Sequence, residues 1–191
     1  MILGITGGTG CGKTTLLELI RQAGGVVLDC DAIYHDLLQK DKRLLAAIEA
    51  RFPGTVEAGA LQRKKLGAIV FGDPAALADL NRITHKAIDR EVQRLLTPEP
   101  KLAAIDAIAL LESGLGERCN VTVAVTAPVE ERVRRIMARD GIGEEYARSR
   151  IQAQPSNEYF SEKCDYTLEN AGTSGEFQGK CLAFLRQLDI I

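Results

Sequence analysis

Apolar residues in this chain fall into two patterns, short runs and longer segments with contacts three and four positions apart. The runs are Met1–Ile5, Val26–Asp29, Lys101–Asp106, Asn120–Val125 and Asp165–Leu168. Runs of that length, rich in β-branched and aliphatic residues, predict strands buried on both faces of a parallel sheet. The spaced segments predict helices over Thr14–Ile20, Ala32 to about Ala50, 62–71, 75–96, Pro128 to about Arg139, Glu144–Gln154 and 175–188. Leu37, Leu38, Leu44, Leu45 and Ile48 are the expected apolar contacts of the second helix. Gly24-Gly25, Phe52-Pro53-Gly54, Gly72-Asp73-Pro74 and Asp140-Gly141 supply the breaks. Alternating strands and helices predict an α/β fold, a five-stranded parallel sheet between two helical layers. The expectation is one domain over residues 1–191. A helical run at about 55–96 interrupts the alternation and is expected to cap the active face. Residues at about 137–160 are expected to form a lid.

Between the first strand and the first helix stands Gly7-Gly8-Thr9-Gly10-Cys11-Gly12-Lys13-Thr14, the G-x-x-x-x-G-K-[ST] pattern of a phosphate-binding P-loop. Glycines let the backbone wrap closely around a polyphosphate, with successive N–H groups turned toward its oxygens. The helix that follows adds the positive end of its dipole. Lys13 is placed to reach the β- and γ-phosphates, and Thr14 to offer its hydroxyl to Mg²⁺. Gly8, Thr9, Gly10, Cys11, Gly12, Lys13, Thr14 and Thr15 are the expected ATP-binding residues, with Mg²⁺ as cofactor. The fold expectation narrows to a P-loop NTPase-type sandwich.

The net charge of −2 argues against broad nucleic-acid or anionic-membrane binding. No apolar stretch reaches the 18 residues of a membrane span, and no basic leader precedes the first strand. Five cysteines without a C-x-x-C suggest reduced thiols rather than a disulfide frame or a zinc site. A cytoplasmic protein is expected, monomeric or weakly self-associating. Cys11 is either a thiol activated by the helix terminus or a small residue that fits the loop.

Ligands of parallel α/β sheets bind beyond the C-terminal strand ends, so polar residues there are the candidates for chemistry. The second strand ends in Asp29-Cys30-Asp31. Asp31 is either a base that takes the proton of an acceptor hydroxyl or the N-cap of the helix from Ala32. Asp106 ends the third strand and is either a ligand near Mg²⁺ or a solvated carboxylate. Arg132, Arg134, Arg135 and Arg139 on one helix, with Arg148 and Arg150 on the next, flank the hinge Asp140-Gly141-Ile142-Gly143. Most read as a solvated helix face, and one or two as lid cations that stabilise transferring phosphate. His85 and Arg63 lie in the helical run.

Taken together, these segments resemble the dephospho-coenzyme A kinase family. Thr6 to Thr15 matches its T-G-G-x-G-x-G-K-[ST]-T opening, and Asp29-Cys30-Asp31 its D-A-D. Leu61-Gln62-Arg63 through Phe71 is similar to L-D-R-x-x-L-x-x-I-V-F, and Ile105-Asp106 through Leu115 to L-D-x-P-L-L-F-E-x-G-L. Arg139 to Gln154 resembles R-D-G-[ILV]-x-x-E-x-A-x-x-R-I-x-x-Q, and Asp165 to Gly172 resembles D-x-x-[IL]-x-N-x-G. Lys86 and Ile108 stand where the family has proline, and Gln62 where it has an acid. The resemblance implies transfer from ATP to the ribose 3′-hydroxyl of dephospho-CoA, giving CoA and ADP. It also implies Asp31 as base and Arg139, with Arg150, as lid cations. Asn170 would lie near the adenine end, while Arg63 and His85, with Asp106, line the acceptor side. The competing readings are another small-molecule P-loop kinase, acting on a nucleoside, nucleotide or shikimate-like alcohol, and a nucleotide-dependent switch. The N-K-x-D motif of guanine-specific switches is absent.

Overall fold

A computed structural model describes all residues from Met1 to Ile191. In chain order its elements are β1 (Ile2–Thr6), α1 (Lys13–Gln22), β2 (Val26–Asp29), α2 (Cys30–Lys40), α3 (Lys42–Arg51), β3 (Val56–Glu57), β4 (Ala60–Leu61), α4 (Arg63–Val70) and α5 (Pro74–Leu95). They continue with β5 (Ala103–Asp106), a 3-10 turn (Leu115–Arg118), β6 (Val121–Thr126), α6 (Val129–Asp140), α7 (Glu144–Gln152), α8 (Asn157–Lys163), β7 (Tyr166–Glu169) and α9 (Ser174–Gln187). The chain divides into two compact units, one of Met1–Leu28 with Pro100–Ile191 and one of Asp29–Glu99.

The first unit is built on the five-stranded sheet, in the order β2-β5-β1-β6-β7. The pairings of β1 with β5 and β6, and of β6 with β7, are parallel. Residue alternation along β1 separates the two faces. Leu3 and Ile5 are fully buried among Leu16, Ile20, Val123, Val125, Phe177 and Phe184, so α1 and α9 close one face. Each such aliphatic side chain contributes about 1.5–3 kcal/mol on burial. Gly4 looks the other way, onto Leu110 and Cys119. α8 packs against β6, and its Phe160 is fully buried. The α/β reading and the five parallel strands hold. α8 was not expected. Its start is set locally, by the Ser156 hydroxyl accepting from Tyr159 N at 3.2 Å.

The second unit has its own core, in which Leu37, Leu38, Leu44, Leu45, Ile48 and Phe52 meet Leu66, Val70 and Ala87. The unit spans Asp29–Glu99, and the segment expected as one helix from Ala32 to about Ala50 turns its leucines into the same core as α4 and α5. That helix is in fact two. Asp41 is extended, and its carboxylate accepts from Arg43 N at 2.8 Å and Leu44 N at 3.1 Å, which ends α2 and starts α3. The seven-residue spacing of the leucine pairs suits one unbroken helix, so the pattern alone conceals the cap. The β3–β4 hairpin also went unforeseen. Ala58 and Gly59 both take positive φ, 49° and 77°, which suits a two-residue turn, but strands of two residues show no alternation to read.

Candidate active site

The connections from β1 and β5 leave toward opposite sides of the sheet, the first to β2 and the second to β6. A crevice opens where neighbouring strands part in this way. Lys13, at the start of α1, and Asp106, the last residue of β5, occupy that position, with Nζ and Oδ1 3.9 Å apart. Lys13 also donates to the Gly7 carbonyl at 2.9 Å, so its ammonium is held across the mouth of the loop.

The loop between β1 and α1 is braced from behind by side chains of one unit. Arg132 on α6 is 2% exposed. Its Nε donates to the Thr9 carbonyl at 2.9 Å and its Nη2 to Gln154 Oε1 at 3.0 Å. That same oxygen accepts from Thr9 N at 2.9 Å, while Gln154 Nε2 donates to the Thr9 hydroxyl at 2.8 Å. Arg135 donates to the Gly10 carbonyl at 3.3 Å and to Asn170 Oδ1 at 3.2 Å. Asn170, buried just after β7, donates from Nδ2 to the Cys11 carbonyl at 2.9 Å. Three successive carbonyls, of Thr9, Gly10 and Cys11, are thus tied to protein donors. Across a trans peptide the N–H points opposite to the carbonyl, so the Gly10 and Gly12 amides face away from the braces. Those amides, with the α1 N-terminus, form a positive concavity suited to an anion.

The bracing side chains leave no room for a Cβ at Gly8 or Gly12. A Cβ on Gly8 would lie 2.1 Å from Arg132 Nη2. Gly12 has φ +94°, and a Cβ there would lie 2.3 Å from Asn170 Nδ2. Cys11 is fully buried, and burial pushes its thiol pKa up despite the opposing pull of Arg132 and Lys13. Full burial in the α1–α9 core supports the reading of Cys11 as a small residue that fits the loop.

Thr14 is exposed on the first turn of α1, and Thr15 N closes back on the Gly12 carbonyl at 3.2 Å. At the far end of α6, Arg139 grips Asp140 with Nε at 2.7 Å and Nη2 at 3.0 Å. Arg150 on α7 reaches the same carboxylate at 2.6 Å. These contacts hold the Asp140 carboxyl well below the usual range. Val133 and Ile136 of α6 pack on Ala147 and Ile151 of α7.

In the second unit, the helix cap belongs to Asp29, whose Oδ1 accepts from Asp31 N at 2.9 Å and Ala32 N at 3.0 Å. The capping alternative for Asp31 is thereby overturned: Asp31 lies inside the first turn of α2 with an exposed side chain. Arg63 opens α4 and donates from Nη2 to His35 Nδ1 at 3.2 Å. His85 is half-buried in α5.

Pattern reading grouped Arg132 and Arg135 with the solvated or lid-cation arginines rather than with the loop's supports, and it did not single out His35. The first two carry the charge of a surface helix face, and nothing in their spacing marks Arg132 as a core residue. Gln154 stands within the matched lid segment, a signal of position without a role.

A G-x-x-x-x-G-K-[ST] loop after the central strand of a β2-β5-β1-β6-β7 parallel sheet is the arrangement of the P-loop kinases. Within that class, the family model for dephospho-CoA kinase matches residues 1–176, and the chain belongs to that family. It is 34% identical to the dephospho-CoA kinase of Syntrophotalea carbinolica over 98% of this chain and 92% of that one. A crystal structure from Thermus thermophilus is similar at TM-score 0.82 and 36% identity, over 98% of this chain and 97% of the other. The dephospho-CoA kinase from Campylobacter jejuni follows at TM-score 0.68 and 26% identity, over 98% and 96%.

Proposed function

We propose that this chain transfers the γ-phosphoryl group of ATP to the ribose 3′-hydroxyl of dephospho-CoA, giving CoA and ADP. The observation that carries the reading is the family match over residues 1–176, joined to a P-loop whose three carbonyls are held outward and whose lysine spans the loop mouth. In phosphoryl transfer the protein chiefly positions groups and stabilises charge. The Gly8–Gly12 backbone would bind the phosphates. Lys13 would neutralise charge developing between β- and γ-phosphate. Asp31, released from capping by Asp29, would orient the 3′-hydroxyl and accept its proton. Arg139 would add a cation from the lid over residues 137–160, leaving Asp140 when phosphate arrives. Asn170 would border the adenine end while holding the Cys11 carbonyl. Arg63 and His85, both in the Asp29–Glu99 unit, would line the acceptor side.

The donors present fit magnesium. No group of three or more His, Cys, Asp or Glu could hold a metal, so the protein builds no cage. An exposed Thr14 hydroxyl and the Asp106 carboxylate are hard oxygen ligands, and Mg²⁺ is normally held by one or two such groups together with substrate phosphates. Thr14 and Asp106 would hold it, and when bound it would offset charge on the phosphate oxygens. No helix is long and apolar enough to cross a membrane.

ADP release by the purified protein with Mg·ATP, with and without dephospho-CoA, tests the proposal. Strong stimulation and a product heavier by one phosphoryl group are expected. Tight ATP binding without stimulation would refute the acceptor and favour a kinase of another alcohol.

A further inference from the structure

Arginines of the second unit are mostly neutralised. Arg51 and Arg82 share Asp79, Arg90 meets Asp41, and Arg94 forks onto Glu91. Arg63 differs, since the group its guanidinium holds is the His35 ring, Nη2 to Nδ1 at 3.2 Å. A guanidinium has donors and no acceptor, so Nδ1 must be the bare nitrogen of a neutral imidazole with its proton on Nε2. A neutral partner orients the fork without cancelling its charge. A carboxylate would do both. His35 also follows Asp31 by four residues on α2, which sets the two side chains on one helix face.

We infer that His35 is a positioning residue: it aims an un-neutralised Arg63 at an anion beside Asp31, and that anion is the diphosphate of the acceptor. The inference rests on the proposed reaction and refines its acceptor site. A 3′-hydroxyl brought to Asp31 carries its nucleotide's 5′-diphosphate on the same ribose, and the remaining N–H groups of Arg63 suit paired phosphate oxygens.

The test is steady-state kinetics of His35→Ala, His35→Asn and His35→Asp, with KM for dephospho-CoA and for ATP measured separately. Loss of a hydrogen bond that orients a charged group should raise KM for dephospho-CoA about tenfold in His35→Ala, with KM for ATP unchanged. Asn can set an amide oxygen where Nδ1 was and should restore most of the loss. Asp would hold Arg63 at least as firmly but neutralise it, so its KM should stay high. A purely structural role predicts the reverse, with Asp as good as Asn. The Asn–Asp comparison also decides the matter if the alanine variant does not fold. In an Arg63→Ala background, His35→Ala should change nothing further. An unchanged KM in His35→Ala, or rescue by Asp, overturns the inference while leaving the reaction intact. Wild-type protein inert toward dephospho-CoA overturns the reaction itself, and this refinement with it.

Discussion

The guanidinium of Arg132, 2% exposed, lies with its Nε 2.9 Å from the carbonyl oxygen of Thr9 and has no carboxylate partner among its hydrogen bonds. A buried cation is tolerated when polar acceptors surround it, and here the acceptors are the phosphate loop and Gln154. The residue therefore belongs to the loop as much as to its helix. Arg132→Met keeps much of the volume and removes both donors. It should cost about 3 kcal/mol, the sum of two charge-assisted bonds to buried acceptors. Urea unfolding should show the loss, and ATP affinity should fall with it. An unchanged midpoint would mean that the guanidinium contributes nothing to the loop.

Gly12→Ala meets two obstacles, a left-handed backbone at φ +94° and the Asn170 amide 2.3 Å from the new Cβ. The backbone alone costs about 1–2 kcal/mol, and displacing Asn170 releases the Cys11 carbonyl. ATP affinity measured by calorimetry should fall at least about tenfold by that arithmetic. Gly72→Ala, with no atom within 4 Å of its Cβ and no positive φ, should behave as wild type and serves as the control.

Asp31→Asn keeps shape and removes the proposed base. Turnover should fall by roughly 10²-fold or more, with ATP binding retained. Lys13→Ala should weaken both. Near-normal turnover in Asp31→Asn would take Asp31 out of the base role.

Asp140, clasped first by Arg139 and then by Arg150, has its pKa depressed in the folded chain. The sign follows from linkage. A lowered folded pKa stabilises above the unfolded value of about 3.9, and the gain disappears only as pH falls through the folded value. The link of α6 to α7 should thus persist at pH 4, where an ordinary aspartate is half protonated. Carboxyl carbon shifts of Asp140 followed by NMR should show no midpoint near 4. A titration there would mean that the arginines do not hold it.

Burial pushes the Cys119 and Cys181 thiols up to about 11, and raises Cys11 as well. At pH 8 these three sulfurs stay protonated, and iodoacetamide should leave them unmodified in native protein and label them after denaturation. Rapid labelling of Cys11 would favour the activated-thiol reading.

The strands and the loop were legible because their signals are local. An apolar run bounded by glycine, and a glycine pattern ending in Lys13-Thr14, carry their geometry in contiguous residues. The division of α2 from α3 was harder, since the Asp41 cap acts through one side chain while the leucine spacing runs straight across it. The two-residue strands of the hairpin fall below any readable period.

By itself, then, the chain determined the parallel α/β layout, the phosphate loop and the strand-end acids, because periodicity and backbone sterics act over neighbouring residues. Only the tertiary structure decided which charges serve the loop. Arg132 and Arg134 are two positions apart and chemically identical, yet one is buried against Thr9 and the other meets Glu131 in solvent. Helix rotation and long-range packing, across 123 residues in the case of Arg132 and Thr9, separate them, and no short-range pattern contains that information.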